Sequence, residues 1–164
     1  MTASFSAADL RHTVAILSSP SVIRLITEID DNGPIAPRGL ARTLADLSPH
    51  RLRQATGAAR ALGLIHGRPA DGLCLTVAGA ELADVYDATA RWARRHAYPR
   101  AAADFTSRIQ HTFRLLEQTL APNAADDRGP AHARLPGTRA DADPAGPREL
   151  LRQWLSTYAA RPAA

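Results

Sequence analysis

Apolar residues recur at spacings of three and four along most of the chain, and this period is typical of amphipathic helices. One clear stripe lies in the segment 48–62 and consists of Leu52, Ala55, Thr56, Ala59 and Leu62. Ser48 is a good N-cap, Pro49 suits the first helical position, and Gly63 is the kind of residue that ends helices. We therefore predict a helix over about residues 48–62.

The opposite face of this predicted helix has polar residues near its start and small residues near its end. In chain order it carries His50, Arg53, Gln54, Gly57 and Ala61, with Arg51 on its flank. Arginine and glutamine are side chains that read guanine and adenine edges in the major groove of DNA. On an isolated helix the same residues would be typical of an ordinary solvated surface, so the neighbouring segments decide the interpretation.

The segment ahead of this helix favours DNA binding. Residues 37–47 predict a short helix whose apolar contacts are Leu40, Leu44 and Leu47, and a tight Asp-Leu-Ser turn joins it to the next helix. Two short helices joined by such a turn form a helix-turn-helix. In this motif the second helix, here 48–62, is the recognition helix.

The segment after the helix predicts a β-hairpin over about residues 64–76. Residues 64–65 and 73–75 are apolar and read as short strands, with residues 68–72 as the tip. A hairpin in this position would be a wing beside the recognition helix. Arg68 stands where it could reach a minor groove or a phosphate.

Further helices are predicted over about residues 6–17, 20–31, 77–97, 100–120 and 147–160, and Thr76 is the expected N-cap of the helix 77–97. The apolar faces of the second and third of these helices consist of Val22, Ile23, Ile26 and Ile29 and of Leu82, Val85, Tyr86, Thr89, Trp92 and Ala93. Residues 1–97 are expected to form the DNA-binding domain and residues 98–120 a helix for packing or dimerisation. Residues 121–146 are rich in Ala, Pro, Asp, Gly and Arg, which is typical of a flexible linker or long loop. The last helix is strongly amphipathic. We expect it to dock on its own domain or on a partner protomer, and we favour the dimer interface.

Two stretches within residues 33–92 carry a family resemblance. They are GPIAPRGLARTLADLSPHRLRQATGAARALGLI and LTVAGAELADVYDATARW. Both resemble the winged helix-turn-helix regulators of the HxlR, MarR and ArsR groups. The resemblance implies a mainly α fold with a small β-hairpin wing, extended by N- and C-terminal helices. It also implies a homodimer that binds a pseudo-palindromic operator in double-stranded DNA.

Charge and composition agree with this reading. The net charge is +4, and all 20 basic residues are arginine. Between Arg38 and Arg60 there are five arginines and one acid, Asp46, which is the local excess that phosphate contacts need. The single cysteine, Cys74, fits a reducing cytoplasm. No signal peptide or apolar run of about 18 residues is evident, so we expect no membrane contact.

The motifs of common enzymes are missing from the sequence. The six histidines show no metal-ligand spacing, and there is no glycine-rich phosphate loop, GxSxG motif or dinucleotide fingerprint. We therefore predict no enzymatic activity, no cofactor and no metal site.

The predicted DNA contacts divide by role. His50, Arg53 and Gln54 would contact base edges. Ser48 and Arg51 would hold phosphates, and Arg68 would serve the wing.

Two alternatives stay open. In the first, Tyr86, Trp92, Phe105 and Phe113 wall a pocket for a small hydrophobic effector, although such aromatics are more often core. In the second, the chain is a protein-interaction or dimerisation module without DNA binding, as the winged element is in many small-molecule O-methyltransferases. The short wing and an unusual recognition helix, with Gly57 where a basic residue is common, favour this second alternative.

Overall fold

A computed structural model of the protein describes residues 7–68, 72–100, 104–120 and 143–159. In chain order the elements are α1 (Ala7–Leu17), α2 (Pro20–Asn32), α3 (Leu40–Thr43), α4 (Pro49–Ala61), β1 (Ile65–Arg68), β2 (Gly72–Leu75), α5 (Val77–Arg95), α6 (Phe105–Leu120) and α7 (Ala145–Trp154). A π-helical turn, Leu155–Ala159, continues α7. The described part is thus mainly helical with one antiparallel hairpin, which confirms the predicted fold class at this level.

The helices α1, α2, α4, α5, α6 and α7 all contribute to one apolar core. The apolar stripes predicted for α2 and α5 are buried, with Val22, Ile23, Ile26 and Ile29 on α2 and Leu82, Val85, Tyr86, Thr89, Trp92 and Ala93 on α5. Burial of such side chains is the main term that stabilises a fold of this kind. The helices therefore hold one another in place without a large sheet.

Tyr86 lies at the centre of this core. Its ring is fully buried, 5.6 Å from the ring of Phe113 between centroids. Its hydroxyl donates a 2.6 Å hydrogen bond to the carbonyl oxygen of Leu17 at the end of α1. Burial also raises the pKa of the Tyr86 hydroxyl far above its usual range, so the group stays a neutral donor.

Helices α3 and α6 are shorter than the sequence predicts. The helix predicted over residues 37–47 is only the short α3, because Leu44 leaves helical geometry at φ −107° and ψ 52° while its side chain becomes fully buried. The helix predicted from residue 100 begins at Phe105, where Asp104 accepts a 2.8 Å bond from the backbone N–H of Ser107. This interaction lowers the pKa of Asp104. Residues 101–103 lie outside the described ranges.

Helix α7 packs against α5 of the same chain. The indole N–H of Trp154 donates a 2.9 Å hydrogen bond to the Ala78 carbonyl oxygen, and Leu151 and Leu155 are buried. The sequence favoured a dimer contact for this apolar face, but the face is covered within the chain. The helix also begins at Ala145, two residues earlier than predicted. Most of the predicted linker, residues 121–142, lies outside the described part.

The hairpin pairs β1 with β2 in antiparallel register, with Ile65 opposite Leu75 and Arg68 opposite Gly72. A third segment joins it at Ile35, which exchanges backbone hydrogen bonds of 3.0 and 2.9 Å with Leu73. Gly72 has φ +89°, and a Cβ at this position would collide with the Ile35 carbonyl group. The close approach of the two backbones therefore requires glycine here. The predicted tip residues 69–71 lie outside the described ranges.

Candidate nucleic-acid interface

Helix α4 has the start and the end that its sequence predicts. The Ser48 hydroxyl accepts a hydrogen bond of 3.3 Å from the Arg51 backbone N–H. At the other end, Gly63 has φ +66° and Leu64 N–H donates to the Ala59 carbonyl oxygen at 2.8 Å. This bond and the positive φ define a Schellman cap, which stops the helix at a fixed residue.

The rotation of α4 about its axis is fixed by the buried side chains. Leu52, Ala55 and Ala59 face the core, and the half-buried Thr56 donates a 2.7 Å bond to the Leu52 carbonyl oxygen. The residues on the other side are all exposed and comprise His50, Arg51, Arg53, Gln54, Gly57, Arg60 and Ala61. The structure therefore brings the predicted base-contacting residues together on one solvent-facing surface.

Ser48 is also exposed, but its oxygen already serves as the cap of α4. The hydroxyl proton is left available, so one side chain can cap the helix and donate to an external oxygen atom. Arg51, whose backbone N–H is the capped group, extends from the same first turn. Their common role as phosphate contacts stays a prediction.

The positive charge predicted around α4 is exposed. Arg38, Arg42, Arg51, Arg53 and Arg60 all lie at the surface, and no ion pair within the described ranges occupies any of them. The single acid of this segment, Asp46, accepts hydrogen bonds of 3.1 and 3.4 Å from Arg24 on α2. The Arg24 guanidinium lowers the pKa of Asp46 and partly cancels its charge. The surface around α4 therefore keeps a net positive field.

Arg68 occupies the last position of β1 and is exposed. Strand β1 packs against α4, so the hairpin lies beside the helix that carries Arg53 and Gln54. The role of this hairpin as a wing stays a prediction.

The sequence predicts Thr76 as the N-cap of α5. It does not predict that Thr76 also bonds to the end of α4. The Thr76 hydroxyl accepts a 3.1 Å bond from Gly79 N–H and donates a 2.6 Å bond to the Gly63 carbonyl oxygen. At Gly79 itself a Cβ would collide with the carbonyl group of Leu64. The position of Thr76 just before the helix predicts the cap. Its second partner, the Gly63 carbonyl oxygen, could not be predicted because its position depends on how α4 ends.

Gly57 is an unusual residue for the interior of α4. Glycine within a helix costs roughly 0.5–1 kcal/mol of stability relative to alanine. A Cβ at this position would have nothing within 4 Å. In the described part of the chain, no packing contact therefore accounts for the glycine.

The four aromatic residues predicted to wall an effector pocket are not brought together. Tyr86 and Phe113 are fully buried in the main core. Trp92 belongs to a separate small cluster, and its indole N–H donates a 3.1 Å bond to the Asp143 carbonyl oxygen. Phe105 is half-buried at a surface cleft. Tyr86, Trp92 and Phe113 are therefore buried core residues, which is the alternative that the sequence leaves open for them.

The cleft beside Phe105 has a volume of about 340 Å³ and is rich in carboxylates, which include Asp30, Asp31 and Asp87. Burial, and then the neighbouring acids Asp31, Asp84 and Asp87, raise the pKa of Asp30. Such a lining does not suit the hydrophobic effector that was considered from the sequence. Among the described residues, no group of three or more His, Cys, Asp or Glu side chains is arranged to hold a metal ion.

Comparisons of the chain with protein-family models, with curated proteins and with solved structures found no match. None of the helices that the structure describes combines the length and apolarity needed to cross a bilayer.

Proposed function

We propose that the chain is a DNA-binding transcriptional regulator with a winged helix-turn-helix fold. In this proposal α3 and α4 are the two helices of the motif, α4 is the recognition helix, and the β1–β2 hairpin is the wing. The segment at Ile35, which bridges to Leu73, supplies the third strand that supports the wing. The element order along the chain supports this interpretation.

The observation that carries the proposal is the composition of the exposed face of α4. His50, Arg53 and Gln54 share that face, while the buried stripe and two caps hold the helix in one orientation. A major groove admits one α-helix, and the bidentate pairings of arginine with guanine and glutamine with adenine are available from such a face. Exposed arginines around α4 supply the phosphate attraction that all DNA binding needs.

The remaining predicted residues have supporting roles in this proposal. Ser48 and Arg51, in the first turn of α4, contact phosphates and so set the position of the helix on the duplex. Arg68 contacts the backbone or minor groove from the wing. The protein acts as a homodimer on a pseudo-palindromic operator, and its dimer interface uses surfaces other than the apolar faces of α6 and α7, which are largely buried within the chain.

Fluorescence anisotropy with labelled random-sequence duplex DNA tests the proposal. At two salt concentrations, we expect dissociation constants of about 10⁻⁴–10⁻⁶ M that rise steeply with salt, because each phosphate contact releases counterions. Operator selection from a random library would follow. A chain that binds no duplex even at low salt would contradict the proposal and favour a protein-interaction module instead.

A further inference from the structure

Gly57 occupies the centre of the exposed face of α4. At about 100° per residue, the side chains that surround it lie within about 60° of it around the helix axis. These neighbours are His50, Arg53, Gln54, Arg60 and Ala61. The buried residues Leu52, Ala55 and Ala59 lie on the opposite side. The face therefore consists of four long polar side chains and Ala61 around a position where the backbone is exposed.

The usual intramolecular reasons for a helix glycine do not apply at Gly57. Gly33 and Gly63 end helices with positive φ values of +84° and +66°. Gly79, like Gly57, lies inside a helix, but a Cβ there would collide with the Leu64 carbonyl group. At Gly57 the described residues leave a Cβ in open space. No contact among the described residues therefore explains this glycine, and we look for its reason in a binding partner of α4.

We infer that Gly57 is the point at which the backbone of α4 comes into van der Waals contact with DNA, and that it thereby determines specificity. This inference rests on the proposed function. A methyl group at the centre of the face would hold the helix away from the groove. Because Arg53 and Gln54 flank Gly57, both would then lose their reach to base edges together, while exposed arginines farther from the centre would still attract phosphates.

The inference predicts that stability and DNA recognition respond in opposite directions to Gly57→Ala. Alanine is the better helix former, and the substitution meets no atom within 4 Å, so the melting temperature should rise by about 2–4 °C. Affinity for the selected operator should fall on the order of tenfold, which is typical for the loss of a specific contact. Affinity for random duplex DNA should change much less.

Gly57→Leu provides a graded second variant. It should keep a melting temperature at or above that of the wild type, yet weaken operator binding more than Gly57→Ala does. Gly146→Ala is the matched control, because Gly146 is an exposed glycine near the start of α7 that also has nothing within 4 Å of a Cβ. This control should leave the affinity for both kinds of DNA unchanged.

The outcomes separate the inference from the proposed function. If the wild-type chain binds no duplex, the proposed function fails and the role of Gly57 fails with it. If the wild type binds an operator and both Gly57 variants keep its affinity and specificity ratio, only the inference about Gly57 is overturned. A Gly57→Ala variant with a clearly lower melting temperature would also overturn it, since the glycine would then have a structural role.

Discussion

The ion pair between Arg24 and Asp46 changes the charge of the surface around α4 more than it changes the stability of the fold. The two side chains are partly exposed, and such pairs contribute only about 0–1 kcal/mol to stability. Asp46, however, is the single carboxylate between residues 38 and 60, two positions before the cap of α4. Its partner Arg24 comes from another helix and so offsets a charge that would oppose DNA phosphates.

Replacement of Arg24 should therefore weaken DNA binding through Asp46. We expect Arg24→Gln to reduce the affinity for random duplex DNA a fewfold at low salt, whereas Asp46→Asn should leave it equal or stronger. The double variant should recover the part of the loss that comes from Asp46, whereas Glu28, which Arg24 also contacts at 3.7 Å, still lacks its partner. Anisotropy titrations of the four proteins at two salt concentrations measure this. A double variant as weak as Arg24→Gln would show that the Arg24 side chain acts by another route.

Elements with a strong period and clear caps could be predicted from the sequence, and α4 and α5 are the examples. Ser48 and Gly63 bound α4, and Thr76 begins α5, as expected. The bounds of α3 and α6 were predicted less well. Leu44 leaves helical geometry where its side chain enters the core. A sequence pattern does not predict that packing against distant segments ends a helix at a given residue. Asp104 is a residue type that favours an N-cap, but the apolar spacing over residues 100–120 led to an earlier predicted start of α6.

The exposure of the candidate site could be predicted for similar reasons. Which residues of α4 face solvent follows from its apolar stripe, so the exposed positions of His50, Arg53 and Gln54 follow from periodicity, while their contacts with DNA stay a prediction. The aromatic residues could not be placed in the same way. Tyr86 and Phe113 meet across two helices, and Trp92 bonds to the backbone of Asp143, so their positions depend on how distant segments pack.

At the scale of elements, Thr76 joins the end of α4 to the start of α5. Thr76→Val should destabilise the fold by about 1–2 kcal/mol, because it removes an N-cap and leaves the Gly63 carbonyl without its 2.6 Å donor. Urea denaturation measures the change in the free energy of unfolding. Thr43→Val, at an exposed threonine, is the matched control and should change stability little. Equal losses of stability in the two variants would show that the bond between Thr76 and Gly63 does not stabilise the fold.

At the scale of the whole molecule, α7 closes the core of its own chain. Among the described residues, the large apolar side chains left exposed are Val77 and Leu150, at 70% and 40% exposure. The dimer expected from the sequence therefore has no support from α7. The sequence showed that this helix had to dock, but an amphipathic face does not reveal whether its partner is the same chain or another copy.

Trp154→Phe tests this intramolecular docking. It removes the donor to the buried Ala78 carbonyl oxygen and should cost about 1–3 kcal/mol in unfolding free energy. Because the contact lies within one chain, the loss should be the same at low and high protein concentration. Gln153→Ala, on the exposed side of α7, is the control and should be nearly neutral. A loss that grows on dilution would instead indicate that α7 docks between protomers.

The central claim is that α4 reads DNA, and the most direct measurement compares Arg53→Ala with Arg51→Ala on a selected operator and on random duplex DNA across a salt series. We expect Arg53→Ala to cost about 1–3 kcal/mol on the operator and to relax its sequence preference. Arg51→Ala should weaken both DNAs alike and reduce the salt slope by about 1. Arg152→Ala, at an exposed arginine on α7, is the control. Unchanged operator affinity and salt slope in both α4 variants would contradict the account.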